Sequence, residues 1–553
     1  MDVRQILCSA GVCVVLLIST RSLAANVSVG PVATGAGDGS DWSNIAPWSS
    51  VPLVRGNVYF LQSGTYGSKV LDTAVAGSTY VSIKKATASA HGAEAGWLDS
   101  YGTGTADFGG GASLTITTSY WDIDGVTGGG PGSWQSGHGI TFNNAAGNAI
   151  DWISIPADPV SNLNLRHCSF TQTGDPTQNA TFANVVNQVG SSGLNDSVFE
   201  YLYVNNISGL PFFFRFGSGD VFQYNYIGTV CGASSFDVNQ HCEVMVHWGM
   251  SDVQFRYNYV EHTPSSGGLV KNDAVHGDPG HVSDRFRIYG NVFEGRQDGI
   301  PIVCNDGQCA NWTIINNTFH DIVGGPFSNG GAYAITNLVA YNNIVFNAWG
   351  MIAFFAPYSW YSRLNGSPNN TSCQTGADAS QNVCTNCVSG CDTVTETLDP
   401  FVSSAGHALE DFRLAGPITE WPGMDVCASI VTCDGQSRYD IDAFGNRRGA
   451  DGTWDRGALE LCSDATSCAG PDAGAGGEGA SPGAPDAAAT GGGASTVDAA
   501  DGAASNDSGC GCHAAAGGHA GRLALLALGL GLGRRTRRRP AVAGRGIEAP
   551  QRL

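Results

Sequence analysis

Five stretches in the middle of the chain share one pattern of apolar and polar positions: VFQYNYI (221–227), VQFRYNYV (253–260), DRFRIYGNVF (284–293), NWTIINNTF (311–319) and NLVAYNNIVF (337–346). Aligned on one asparagine, they put Asn225, Asn258, Asn291, Asn317 and Asn343 in a column, at steps of 33, 33, 26 and 26 residues. Three positions earlier stand Phe222, Phe255, Ile288, Ile314 and Ala340; two positions later stand Ile227, Val260, Phe293, Phe319 and Val345. NLNLRHCSF (162–170) and DSVFEYLYV (196–204) are weaker copies without the asparagine. Self-similarity at such periods marks a solenoid. Each unit reads as a short strand, a bend and another short strand, with no helical periodicity between. One turn cannot bury its own apolar side, so the columns must stack inside and the strands must run parallel. Asparagine suits the bends because it tolerates left-handed backbone angles and bonds nearby backbone groups. The column is therefore expected to be a structural ladder, and none of its members is placed in a site.

This pattern resembles the right-handed parallel β-helix of the pectin-lyase type, which implies an all-β solenoid with disulfide-bearing loops. GDGSDWSNIAPWSS (37–50) and LVRGNVYFLQSGTY (53–66) resemble the opening coil of bacterial proteins of that fold. DPFVSS (399–404), DFRLAGP (411–417) and DIDAFGNRRGADGTWDRGALEL (440–461) resemble their closing segment. Together these matches frame residues 26–464 as the β-helix domain. They specify the fold far better than the reaction.

The ends of the chain carry different patterns. Arg4, the apolar run ILCSAGVCVVLLIS (6–19) and the small residues SLAAN form a secretory signal over residues 1–25. From 465 to 508 the Gly/Ala-rich sequence cannot bury a core and reads as a disordered linker. Residues 509–540 hold CGCHAAAGG, the apolar LALLALGLGLG and RRTRRRP, followed by a tail, 541–553. That order resembles the myxobacterial C-terminal sorting signal, with Cys510 and Cys512 at the processed positions. The resemblance implies a secreted protein anchored at the cell surface, on the outer membrane; an ordinary C-terminal membrane helix is the other reading.

Net charge is −21, with only 27 Lys and Arg. This excludes a nucleic-acid partner, whose phosphates demand a basic surface. A monomer that handles an acidic polymer must instead supply local cations or bind calcium. Of 17 cysteines, 13 lie between Cys168 and Cys468, and in a secreted chain most are expected in disulfides. Close spacing suggests Cys231 with Cys242, Cys304 with Cys309, Cys427 with Cys433 and Cys462 with Cys468. Cys373, Cys384, Cys387 and Cys391 are expected as two disulfides rather than a zinc site. Cys168, on a strand, is the expected free thiol.

One region gathers chemistry. Lys271 is the only lysine after Lys85, and Asp273, His276, Asp278 and His281 stand within ten residues of it. The stretch 241–295 resembles the coil layout of the chondroitinase B and alginate-lyase family. In that register Glu243 of EVMVHWG falls where the family has a calcium-binding glutamate, Lys271 falls close to a catalytic arginine, and GNVF (290–293) matches outright. The chain departs from the family at the lysine base, whose place is taken by Trp248, with His247 beside it. β-Elimination of a uronate polymer needs the carboxylate neutralised, a base for the C5 proton and an acid for the leaving oxygen. Lys271 and His276 are the expected base and charge partner, with His247 a second base. Glu243 and Asp273 are the expected ligands of a calcium cofactor, which wants several oxygens at once. Arg256, Tyr289 and His281 are the expected substrate-binding groups. Each also has a plain role: a solvated lysine, histidines bracing a loop, a glutamate fixing a disulfide, side chains covering a sheet.

The expected function is binding or β-elimination of an acidic, uronate-containing polysaccharide. A β-helix hydrolase is the enzymatic competitor, marked by the Gly-His-Gly of SGHGI (136–140), although no aspartate pair leads up to it. A non-catalytic adhesin or carbohydrate-binding scaffold is the alternative outside catalysis.

Overall fold

The computed structural model describes residues 6–9, 12–15 and, with gaps, 24–462; the larger gaps are 175–182, 231–242, 262–269, 273–281, 296–300, 323–334, 349–359, 364–382, 386–391, 394–399 and 417–421. These residues belong to one compact unit, Met1–Ala488. The linker, the sorting segment and its cysteines lie outside them.

The repeat folds as the pattern predicts, into a right-handed parallel β-helix. Each central coil contributes one strand to each of three long parallel sheets of 12, 13 and 8 strands, here called sheets A, B and C. Along the chain the order is A, a sharp bend, B, a longer loop, C, then a return to A, as in Val221–Gln223, Tyr226–Ile227, Met245–His247 and Gln254–Arg256. The columns read from the sequence are the columns of the stack. Phe222, Phe255, Ile288, Ile314 and Ala340 are successive partners in sheet A. Ile227, Val260, Phe293, Phe319 and Val345 are successive partners in sheet B. All ten are buried. Aromatic rings lie over one another where columns permit, Phe142 on Phe170 at 4.7 Å and Phe199 on Phe222 at 4.7 Å. The strands are short because only alternate residues point inward and a bend follows at once.

At the bend between sheets A and B, the five asparagines form the expected ladder. The Nδ2 of each donates to the Oδ1 of the next: Asn225 to Asn258, Asn258 to Asn291 and Asn291 to Asn317 at 3.0 Å, Asn317 to Asn343 at 3.1 Å. The same Oδ1 atoms accept the backbone amides of the coil before, and the same Nδ2 groups donate to carbonyls of sheet A such as Phe222 and Phe255. The left-handed backbone, however, is not at these asparagines. It sits one residue earlier, at Tyr224 (φ 54°), Tyr257 (56°), Gly290 (65°), Asn316 (55°) and Asn342 (53°). The bend divides its labour: the left-handed residue points out, and the asparagine turns in to satisfy amides that no strand can reach. The column continues into the weaker copies as Leu202, whose amide donates to Asn225 Oδ1, and as the free, buried Cys168.

The closing segment lies across the outside of sheet B and its bend. Phe401, Leu409, Phe412, Tyr439 and Leu459 form one apolar cluster with Tyr226, Tyr257, Tyr259 and Tyr289. Tyr257 donates to the carbonyls of Arg438 and Ile441, and Asn342 exchanges both amide bonds with Met424. Arg448 and Glu460, both fully buried, lie 3.6 Å apart within this cover. The Cys304–Cys309 and Cys427–Cys433 disulfides are formed as expected. Cys462 is disulfide-bonded, while Cys231, Cys242, Cys468 and the Cys373–Cys391 group lie outside the described side chains.

Two stability predictions follow from burial. Asn258→Ala strips partners from several buried groups and is expected to cost about 3 kcal/mol or more. Asn311→Ala, in the exposed ladder with Asp284 and Asn337, is expected to cost about 1 kcal/mol or less; chemical denaturation compares them. Asp220 is fully buried, and burial, with Asp196 nearby, raises its carboxyl well above the ordinary 3.8. The unfolded chain releases that proton first, so the stability it contributes is lost as pH rises from about 4 toward the raised value. Asp220→Asn is therefore expected to raise the melting temperature more at pH 8 than at pH 4.

Candidate functional site

A stack of parallel coils offers three outer faces, and the side chains on each decide which can meet a polymer. On sheet A, one outward column runs Lys84, Asp124, Arg166, Glu200, Gln223, Arg256, Tyr289. Its members are bonded in series, with Asp122 of the same strand as Asp124 joining Lys84 to Arg166. Lys84 Nζ lies 3.5 Å from Asp122, Arg166 bridges Asp122 and Glu200, Gln223 donates to Glu200 at 2.6 Å, and Arg256 donates to Gln223 and to Tyr289 at 2.8 Å. Burial raises the Glu200 carboxyl above its usual range, opposed by Gln223 and Arg166. This face spends its charges on itself. Sheet B lies beneath the closing segment along its central coils.

Sheet C differs. Its outward register runs Thr115, Ser154, Asn187, Phe213 and the buried Val246, and the backbone pairing continues through Lys271 to Val303. Asp151 accepts from Asn184 at 2.7 Å and from Asn187 at 2.8 Å. On the following coils stand the half-buried Phe213, Arg215 and Trp248. The strand Val270–Asn272, which carries Lys271, continues the sheet. Sheet C therefore carries polar and aromatic groups along several coils, without the closing segment above them among the described residues.

The residues proposed from sequence are dispersed by the fold. His247 points inward, fully buried, with its ring stacked on Phe286 at 4.6 Å and Trp312 beyond at 6.3 Å. It occupies the same inward column as Phe214, so it is a core residue rather than a base facing a groove. The alternation along VMVHW shows why: His247 and Met245 share the inner side, and Trp248 turns outward. Tyr289 is 1% exposed, its hydroxyl donating to Gln254 and its ring packed 4.6 Å from Tyr439. Arg256 lies between the Tyr257 and Tyr289 rings. Both belong to the internally bonded face of sheet A, and neither is presented to a sugar. Glu243 is 2% exposed at the approach to its sheet C strand. Asp273, His276 and His281 lie outside the described residues, as does the Lys271 side chain. No group of three or more His, Cys, Asp or Glu able to hold a metal occurs among the described residues. Calcium takes about six to eight oxygens, and Glu243 alone does not provide that set, so no step below runs through a metal.

His138 of the Gly-His-Gly stretch is buried against Tyr203, and burial, with His167 beside it, holds its pKa down to about 4. It is a neutral packing residue. What sequence reasoning missed is the Phe213, Arg215, Trp248 group; its signal was available in FFFR, where Phe213 and Arg215 alternate with the inward Phe212 and Phe214.

The coordinates define the class: a right-handed parallel β-helix whose sheet C carries no part of the closing segment among the described residues. No protein-family model matches the chain, and no curated protein matches it. Among solved structures it is similar to AlyGC, an alginate lyase of the PL6 family, at 9% identity and a TM-score of 0.25. The match covers 67% of this chain and 53% of that one. The chain thus spans about half the length of that structure, and a likeness of this size says nothing about its own activity.

Tyr289→Phe removes the hydroxyl that joins Arg256 to Gln254. It is expected to cost about 1 kcal/mol of stability and to leave carbohydrate binding unchanged, as measured by thermal melting beside glycan titration.

Proposed function

We propose that the chain is a polysaccharide-active surface protein that holds an acidic, uronate-containing polymer along the outer face of sheet C and cleaves it by β-elimination. One observation carries the choice of face: the charges of sheet A are bonded to each other and the central coils of sheet B are covered, while sheet C keeps Arg215 and the strand of Lys271. Adjacent parallel strands lie about 4.8 Å apart, close to the length of one pyranose, so a polymer along the stack would meet roughly one new coil per sugar.

In the proposed reaction a neutral Lys271 amine or His276 imidazole takes the C5 proton, and a cationic neighbour offsets the uronate carboxylate. The C5–H electron pair forms the C4–C5 double bond as the C4–O bond breaks, and an acid delivers a proton to the departing oxygen. A lysine set among apolar coils loses its proton more easily than one in water. The sequence of the two ends supports secretion and anchoring through Cys510 or Cys512 as part of the same proposal.

A second reading, binding without cleavage, is favoured by one finding: His247, one of the three groups proposed for catalysis, is in the core. The secreted domain, incubated with a panel of uronate polymers with and without chelator, separates the two. Products absorbing in the near ultraviolet, lost in Lys271→Ala, are the expected result. Saturated reducing ends would indicate hydrolysis, binding without products a scaffold, and no binding to any uronate would overturn the proposal.

A further inference from the structure

Phe213 projects outward from the strand Phe212–Phe214, whose other two side chains are fully buried, and Arg215, the residue just after it, shares that outward side. On the next coil Val246 pairs with Phe213, and the Trp248 amide donates to the Phe214 carbonyl at 3.0 Å. That register brings three side chains together across two coils. The Phe213 ring meets the indole edge-on, centroids 5.2 Å apart at 90°, and the Arg215 guanidinium lies 4.9 Å from the indole centroid. Trp248 and Phe213 are large apolar groups that are only partly buried, although the fold fully buries Phe212 and Phe214 on either side of Phe213.

The state of Arg215 is informative. Among the described residues its guanidinium has no carboxylate partner, and its Nε is buried without a hydrogen bond. Three other arginines stand beside carboxylates: Arg166 on Asp122, Arg285 on Asp252, and Arg448 beside Glu460. Stacking on an indole fixes the plane of a guanidinium yet leaves its N–H edge free for a planar carboxylate. One coil earlier, the register places Asn187 beside Phe213, with Asp151 and Asn184 bonded to each other behind it. A rigid aromatic surface, a positioned cation and a polar group one sugar's length away match the parts of a uronate residue.

We infer that Trp248, Phe213 and Arg215 form a subsite for one uronate residue, with the aromatic pair against the apolar C–H groups of the pyranose and Arg215 on its carboxylate. This inference rests on the reading of sheet C as the polymer face, and assigns residues to it. It predicts discrimination: the ring contact is shared by neutral and acidic sugars, whereas the Arg215 contact rewards the carboxylate alone.

The test is calorimetric titration of the secreted protein with tetragalacturonate, tetramannuronate and the neutral cellotetraose, using wild type, Trp248→Ala, Trp248→Phe, Arg215→Gln and Arg215→Lys. Arg413→Gln, a second arginine stacked on a ring but in the closing segment over Phe444, is the control. Arg215→Gln is expected to weaken uronate binding about tenfold or more and to leave the weak neutral binding unmoved. Trp248→Ala is expected to weaken both, Trp248→Phe to restore part, and Arg413→Gln to change nothing. Thermal melts report folding, and the two milder substitutions, Trp248→Phe and Arg215→Gln, carry the test if Trp248→Ala unfolds. Uronate binding by wild type that all four site variants retain would overturn the subsite while leaving sheet C open as the polymer face. Absence of uronate binding by wild type would overturn both.

Discussion

The constraint on which this structure depends is the need to satisfy backbone amides at a bend that is buried on every side. Parallel strands bond to the coils before and after them, but the corner between sheets A and B has amides pointing along the stack with no strand to receive them. Buried polar groups left without partners are costly, and five asparagines meet that cost by accepting from one coil and donating to the next. Because the Oδ1 atoms of Asn258, Asn291, Asn317 and Asn343 each accept both the side chain and the backbone amide of the asparagine before, one coil cannot slip relative to the next without breaking several bonds at once. Register in sheets A, B and C is therefore set at the corner, and the outer columns inherit it.

Fixed register makes each outer face a column of chosen residues rather than a scatter. Sheet A shows the structural use of this: acids and bases on successive coils lie within reach of each other and neutralise in series, from Lys84 to Tyr289. Tyrosines on the left-handed residues show another, since Tyr201, Tyr224 and Tyr257 stack outside the bend at 5.2 and 5.3 Å and give the closing segment an aromatic floor. Among the described residues, a face occupied in either way has its charges bonded within the protein, and this is why the proposed polymer face is sheet C.

The sequence carried the fold because the solenoid repeats one solution. The asparagine column and both apolar columns were legible at residue level, since each coil imposes the same inward positions and the chain spells them five times. Cys168 as a buried free thiol was legible too, as it stands in a strand of a weaker copy with no close partner. The site was not, because outer positions answer to two demands the pattern does not separate. Arg256 and Tyr289 alternate outward just as a ligand-binding pair would, and only the distant closing segment, returning about 150 residues later to set Tyr439 on Tyr289, shows that they are covered. His247 failed for a simpler reason. A histidine in a three-residue strand was judged by its chemistry, while the alternation with Met245 and Val246 had already assigned it to the core.

The same alternation explains why Trp248 is informative where a lysine base was sought. An outward position beside Arg215 cannot be filled by a second cation without repulsion unless an acid lies between them, and none does among the described residues. Tryptophan removes the repulsion and converts the neighbouring guanidinium into a fixed, planar group. A coil built that way is suited to holding a carboxylate in one orientation, and poorly suited to taking a proton. If the chain cleaves its polymer, the proton must therefore leave at another coil, and the strand of Lys271, directly beside Val246 in sheet C, is the next along the stack.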